Sequence, residues 1–158
     1  MAPTPTPEPD PAEALHGSVL YIEDNPTNVV LVEGLMRPYP AVRLLLASTG
    51  SDGVRMVRSE HPDFVLLDMH LPDISGLEVV RQLNADISAR GLRVVILTAD
   101  SLSMDIIKAM SLGAWEYWVK PLDARVLGAG LRRALTGRQP DPAKRLDNGH
   151  APRPEPEV

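Results

Sequence analysis

Phe64-Val65-Leu66-Leu67, closed by Asp68, is an unbroken apolar run of strand length that ends in a carboxylate. A strand with one wet face alternates apolar and polar residues, so a continuous run implies burial on both faces. Val19-Leu20-Tyr21-Ile22, Val42 to Leu46, Val94-Val95-Ile96-Leu97 and Trp115 to Val119 also have strand length and strand composition, and most of the five are nearly continuous apolar runs. The segments between them carry helical spacing. Val29, Val32, Leu35 and Met36 recur at that spacing in residues 27–37, behind Asn25-Pro26, an N-cap residue followed by proline at the first helical position. Residues 51–60, 76–84, 101–112 and 123–136 repeat the pattern through Val54 and Val57, then Leu77, Val80 and Leu83, then Ile106, Ile107 and Met110, then Val126, Leu127, Leu131, Ala134 and Leu135. Five strands alternating with five helices predict an α/β (βα)5 unit: an open parallel sheet with right-handed crossovers and helices on both faces.

The ends differ from this middle. Of 16 prolines, five fall in residues 3–11 and five in residues 140–156. Residues 1–17 and 138–158 therefore read as flexible proline-rich tails around a folded domain at 18–137. That domain holds 12 Lys+Arg against 14 Asp+Glu, so it has no broad basic field and nucleic acid is not its expected partner. The absence of cysteine excludes a disulfide scaffold, a thiolate nucleophile and Cys-ligated metal. No apolar run approaches the ~18 residues of a membrane span, and the first residues lack the basic-then-apolar layout of a secretory signal. A cytoplasmic protein without membrane insertion is the expectation.

In an open α/β sheet, ligands bind at the carboxyl ends of the strands. Glu23 and Asp24 follow the first strand, Asp68 the third, Thr98 the fourth, and Lys120 with Pro121 the fifth. Singly, each has a bland reading as a cap, a turn former or a solvated charge. Together they crowd three carboxylates onto one rim with one lysine to offset them, and like charges so placed repel unless a cation joins them. Mg²⁺, or Mn²⁺ in its place, suits such oxygen donors. A carboxylate beside a metal, an amine and a hydroxyl is also a workable phosphoryl acceptor. Asp68 would be the nucleophile, Lys120 would neutralise the equatorial oxygens, and Thr98 would hydrogen-bond one of them.

Tyr21-Ile22-Glu23-Asp24-Asn25-Pro26, Leu67-Asp68-Met69-His70-Leu71-Pro72-Asp73, Leu97-Thr98-Ala99-Asp100 and Val119-Lys120-Pro121 resemble the receiver domain of two-component response regulators. The likeness runs from about Ser18 to Leu135. The Glu-Asp-Asn-Pro and Thr-Ala-Asp segments look most like receivers associated with hybrid sensor histidine kinases. The resemblance implies the flavodoxin-like strand order 2-1-3-4-5, metal binding by Glu23, Asp24, Asp68 and the backbone carbonyl of His70, and phosphorylation of Asp68. It further implies a cis peptide between Lys120 and Pro121 and a switch formed by Thr98 and Tyr117. Side chains at the positions of His70 and Asp100 tune phosphate lifetime in that family.

Trp115 is open to two readings, packing or a partner anchor beside Tyr117, since tryptophan is enriched at binding hot spots. Gly128 and Gly130 within the last helix weaken it or admit something close. The implied function is a single-domain phosphorelay switch. It accepts a phosphoryl group from a sensor histidine kinase or a histidine phosphotransfer protein and catalyses only its own phosphorylation and dephosphorylation. It signals to a downstream protein, or by self-association, through the surface of the fourth helix, fifth strand and fifth helix. A phosphate shuttle or sink, and a degenerate receiver serving as an interaction module, are the alternatives. A flavodoxin-like cofactor binder is disfavoured, because Glu-Asp-Asn-Pro stands where a phosphate-cradling loop is needed.

Overall fold

The apolar runs become strands that all point the same way, each returning to the sheet through a helix. The computed structural model describes residues 11–99 and 103–136. In chain order the elements are α1 (Pro11–Ala14), β1 (Gly17–Ile22), α2 (Pro26–Leu35), β2 (Val42–Ala47), α3 (Gly50–Glu60), β3 (Phe64–Asp68), α4 (Gly76–Arg90), β4 (Arg93–Thr98), α5 (Met104–Ser111), β5 (Glu116–Val119) and α6 (Ala124–Leu135). The sheet order is β2-β1-β3-β4-β5, with every pairing parallel. This is the flavodoxin-like receiver fold. Among the described residues, no helix is long and apolar enough to cross a membrane.

Successive strand residues face opposite sides of a sheet, and the two cores follow that rule. Leu20, Ile22, Val65, Leu67, Val94 and Ile96 point into a cluster closed by α3 and α4, which supply Val54, Val57, Val80 and Leu83. Val19, Tyr21, Phe64, Leu66, Val95 and Leu97 point the other way, under Val32 of α2 and Leu127 and Leu131 of α6. Truncating a side chain such as Leu66, fully buried in the central strand, to alanine would cost about 2–5 kcal/mol.

The structure departs from the sequence reading in three places. The folded part begins before residue 18: Pro11–Ala14 forms α1, and Ala12 and Leu15 are buried in the second cluster. Leu15 follows the helix directly, and its N–H donates to the Ala12 carbonyl at 3.3 Å, so this pair is covered despite its proline-rich surroundings. Residues 1–10 and 137–158 lie outside the described residues. Second, α4 continues to Arg90 and not to residue 84, ending on Gly91 in the left-handed conformation (φ 68°). Its last turns are carried by Ile87 against the first cluster and by the Arg90–Asp86 ion pair, which the apolar spacing alone did not capture. Third, β5 begins at Glu116 and not at Trp115; it is the edge strand that the order 2-1-3-4-5 implies, with Trp118 buried while Tyr117 and Val119 are exposed.

The glycines of α6 are explained by close approach. A Cβ on Gly130 would lie 2.5 Å from two atoms of the Trp118 indole, and one on Gly128 would lie 2.6 Å from the Tyr39 hydroxyl. α6 is seated directly on these two rings.

Candidate functional site

The site is built where β1, β3, β4 and β5 end. Pairing of β1 with β3 sets Ile22 beside Leu67, so the acids that follow, Glu23 and Asp68, emerge together. Pairing of β4 with β5 sets Thr98 beside Val119, and the Lys120 N–H donates to the Thr98 carbonyl at 2.7 Å. α2 starts at this rim: the Asn25 side chain accepts from the Thr27 N–H at 2.8 Å, with Pro26 at the first helical position.

One carboxylate oxygen each from Glu23, Asp24 and Asp68 lie within 4.8 Å of one another. Asp68 and Glu23 are buried, whereas Asp24 is exposed. Lys120 Nζ donates to Asp68 Oδ1 at 2.9 Å and lies 3.8 Å from Glu23 Oε1. Thr98 is buried at the end of β4. The Lys120–Pro121 peptide is cis. Three carboxylates thus face one lysine, at a rim that supplies hard oxygen donors. The donor set fits Mg²⁺.

Sequence reasoning missed the groups that orient the acids. The buried Tyr21 hydroxyl donates to Glu23 Oε1 at 3.0 Å, Asn28 Nδ2 donates to the same oxygen at 3.2 Å, and the Asn25 N–H donates to Oε2 at 3.2 Å. Burial, reinforced by the charge of Glu23 and its hydrogen bond, raises the Tyr21 phenol far above its ordinary pKa of about 10, so it stays a donor at any working pH. The signal was available: residues two apart on a strand share a side, which places Tyr21 under Glu23. Asp73 was quoted within a motif but given no role. Its Oδ1 accepts from the Gly50 N–H at 2.8 Å and its Oδ2 from the Ser51 N–H at 2.9 Å, capping α3 from the neighbouring loop. The Ser51 side chain, then these backbone donors, hold the Asp73 carboxyl well below the usual carboxylate range.

Other expected residues lie apart. His70 is exposed on the loop after β3. Asp100, expected to face it, lies outside the described residues. Tyr117 is on the outer part of β5, paired in register with Ile96, and is 39% exposed. Trp115 precedes β5 at the end opposite Lys120, and its ring is engaged within the chain. Phe64 meets its edge at 5.9 Å, and the guanidinium groups of Arg93 and Arg133 stack over it at 5.3 and 5.0 Å. These contacts favour the packing reading of Trp115 over a partner anchor. Arg133 also pairs with Glu116, which accepts the Trp118 indole N–H at 2.9 Å.

The chain matches the model of the response regulator receiver domain over residues 19–132 and belongs to that family. Among relatives, PilH of Pseudomonas aeruginosa is 30% identical over 119 residues, which cover 75% of this chain and 98% of PilH. The transcriptional regulatory protein AfsQ1 of Streptomyces coelicolor is 35% identical over 118 residues; the match covers 75% of this chain but only 51% of AfsQ1. The receiver domain of sensor histidine kinase PA1611 from Pseudomonas aeruginosa PAO1 superposes with a TM-score of 0.67 at 28% identity, covering 75% of this chain and 97% of that one. Its crystal structure has a magnesium ion coordinated in the active site cleft. The signal receiver domain of a histidine kinase from Syntrophus aciditrophicus gives a TM-score of 0.68 at 25% identity, covering 79% and 94% of the two chains.

Proposed function

We propose that this receiver is a phosphorylation-dependent switch whose phosphoacceptor is Asp68. The observation that carries the reading is the pairing of the buried Asp68 carboxylate with Lys120 at 2.9 Å, inside a cluster of three acids within 4.8 Å. Glu23, Asp24 and Asp68, with the His70 carbonyl, would hold Mg²⁺ or Mn²⁺. Such an ion supplies Lewis-acid polarisation of phosphoryl oxygens and offsets the carboxylate charge. The chain's own residues do the rest. An Asp68 oxygen bonds to phosphorus as the P–N bond of a donor phosphohistidine breaks, and the electron pair returns to the leaving imidazole nitrogen. Lys120 transfers its hydrogen bond from the carboxylate to a phosphoryl oxygen. Thr98 donates to another.

The donor is a sensor histidine kinase or a histidine phosphotransfer protein. Val30 and Leu31, 64% and 61% exposed on the helix that starts at the acidic rim, offer it an apolar footing. Output runs through β5. Val119 lies in register with Thr98, and Tyr117, two residues earlier, shares its side of the strand. A shift of Thr98 toward phosphate is thereby coupled to the exposed surface of Tyr117, Val119, Met104, Ile107 and Val126, where a target protein or a second copy would dock. That exposed apolar surface favours a signalling output over a pure phosphate sink. Incubation with acetyl phosphate and Mg²⁺ should add one phosphoryl group by intact mass. Persistence of the label in Asp68→Asn, or in excess EDTA, would refute the assignment.

A further inference from the structure

We propose that Asp73 is a positioning residue for the cation site: by tying the loop after β3 to the start of α3, it fixes the backbone that presents Asp68 and the His70 carbonyl. The inference rests on the reading of this rim as a Mg²⁺ and phosphoryl site.

The loop from Met69 to Ser75 leaves β3 at Asp68 and enters α4 through its N-cap, Ser75. It is fastened at both ends by different means. Near α4 the Gly76 N–H donates back to the Met69 carbonyl at 3.0 Å, and a Cβ on Gly76 would lie 2.8 Å from the Met69 Cα and 3.0 Å from the Asp68 carbonyl oxygen. At its crest the loop is fastened to α3. Both oxygens of Asp73 are used, one on the Gly50 N–H and one on the Ser51 N–H, so the carboxylate cannot rotate without losing a bond. The next residue, Ile74, rests on Gly50, where a Cβ would lie 2.5 Å from its Cγ1. Between the two fastenings lie His70, Leu71 and Pro72, and Pro72 has no N–H to contribute.

Stability of α3 alone does not require this reach across the sequence. The helix has its own N-cap, Thr49, whose hydroxyl accepts from the Asp52 N–H at 3.0 Å. A carboxylate on two backbone donors makes charge-assisted bonds, stronger than neutral ones. Asp73 therefore restrains the loop more than it completes the helix. A backbone oxygen held in place before a cation arrives need not be ordered on binding, and groups that orient metal ligands typically govern affinity by about 10–100-fold.

The test uses the full chain and Mg²⁺ binding by titration calorimetry, with melting temperatures taken in EDTA. Asp73→Ala should weaken Mg²⁺ binding by about tenfold, at the low end for an orienting group. Thr49→Ala removes a cap of the same helix end and should lower the melting temperature while leaving the Mg²⁺ affinity unchanged. Asp73→Asn keeps one acceptor oxygen without the charge and should recover part of the affinity. Unchanged affinity in Asp73→Ala, or equal loss in Thr49→Ala, overturns the proposal. Asp73→Asn as weak as Asp73→Ala also overturns it, by assigning the effect to charge and not to the tether. Asp24→Asn separates the two levels: it should abolish Mg²⁺ binding, and parent-like binding there would refute the cation reading itself.

Discussion

Asp68→Asn should make the metal-free protein more stable, although it removes the central group of the site. The three carboxylates have oxygens within 4.8 Å of one another, so at an effective dielectric constant of about 20 each neighbouring acid repels Asp68 by about 3.5 kcal/mol or more. Lys120 at 2.9 Å attracts it by about 6 kcal/mol on the same scale. Two repulsions and one attraction nearly cancel. What remains is the desolvation of a carboxylate that is only 4% exposed, which is worth several kcal/mol per buried ion. Asparagine avoids that cost while keeping an oxygen for the Lys120 ammonium, so the net expectation is a gain of about 1–3 kcal/mol, or roughly 4 °C in Tm per kcal/mol. Urea denaturation in EDTA measures it. In millimolar Mg²⁺ the order should narrow or reverse, because a ligand that binds only the folded state stabilises the parent by mass action. An Asp68→Asn variant less stable than the parent in EDTA would refute this electrostatic account of the site.

Further outcomes follow from single contacts. Gly130→Ala should destabilise by about 1 kcal/mol net, since overpacking against Trp118 at 2.5 Å costs about 1–3 kcal/mol and the helix-propensity gain returns about 1. Gly34→Ala, in the last turn of α2 with nothing within 4 Å of the new Cβ, should stabilise by up to about 1 kcal/mol, and the same sign at both sites would contradict the packing. The depressed Asp73 carboxyl contributes stability that is present above its unfolded pKa of about 4 and lost as pH falls below it. The Tm difference between the parent and Asp73→Ala should therefore shrink below about pH 4, and a constant difference down to pH 2 would show that its ionisation is irrelevant. A beryllofluoride mimic with Mg²⁺ should change tryptophan emission through Trp118, the neighbour of Tyr117; an unchanged spectrum with binding shown independently would remove β5 from the switch.

The fold was legible because its strands are covered on both faces. An unbroken apolar run such as Phe64 to Leu67 sends alternate residues into two cores, with Leu66 in one cluster and Leu67 in the other. Legibility failed where packing is carried by something other than apolar spacing. The last turns of α4 rest on Ile87 and an ion pair, and α1 on the covered pair Ala12 and Leu15 within a proline-rich stretch. Edge position explains β5, because a strand with a neighbour on one side need bury only Trp118.

The site divides along a similar line. Its charged members could be read from sequence because the carboxyl ends of parallel strands converge wherever the strand order places them, so Glu23, Asp24, Asp68, Thr98 and Lys120 are named by position alone. The residues that hold them were not, since their roles depend on side-chain reach. Tyr21 reads as part of an apolar strand until its hydroxyl is found on Glu23, and Asp73 has no assignable role until both oxygens are found on α3. Trp115 shows the converse. An aromatic near a strand end resembles an anchor, yet two guanidinium groups and Phe64 occupy its ring, and only the folded chain brings Arg93 and Arg133 to it from either side in the sequence. Charge at this rim is set by backbone topology, whereas its alignment is set by neutral donors and loop tethers, so substitutions at Tyr21, Asn28 or Asp73 should alter how tightly the site binds without changing which residue is phosphorylated.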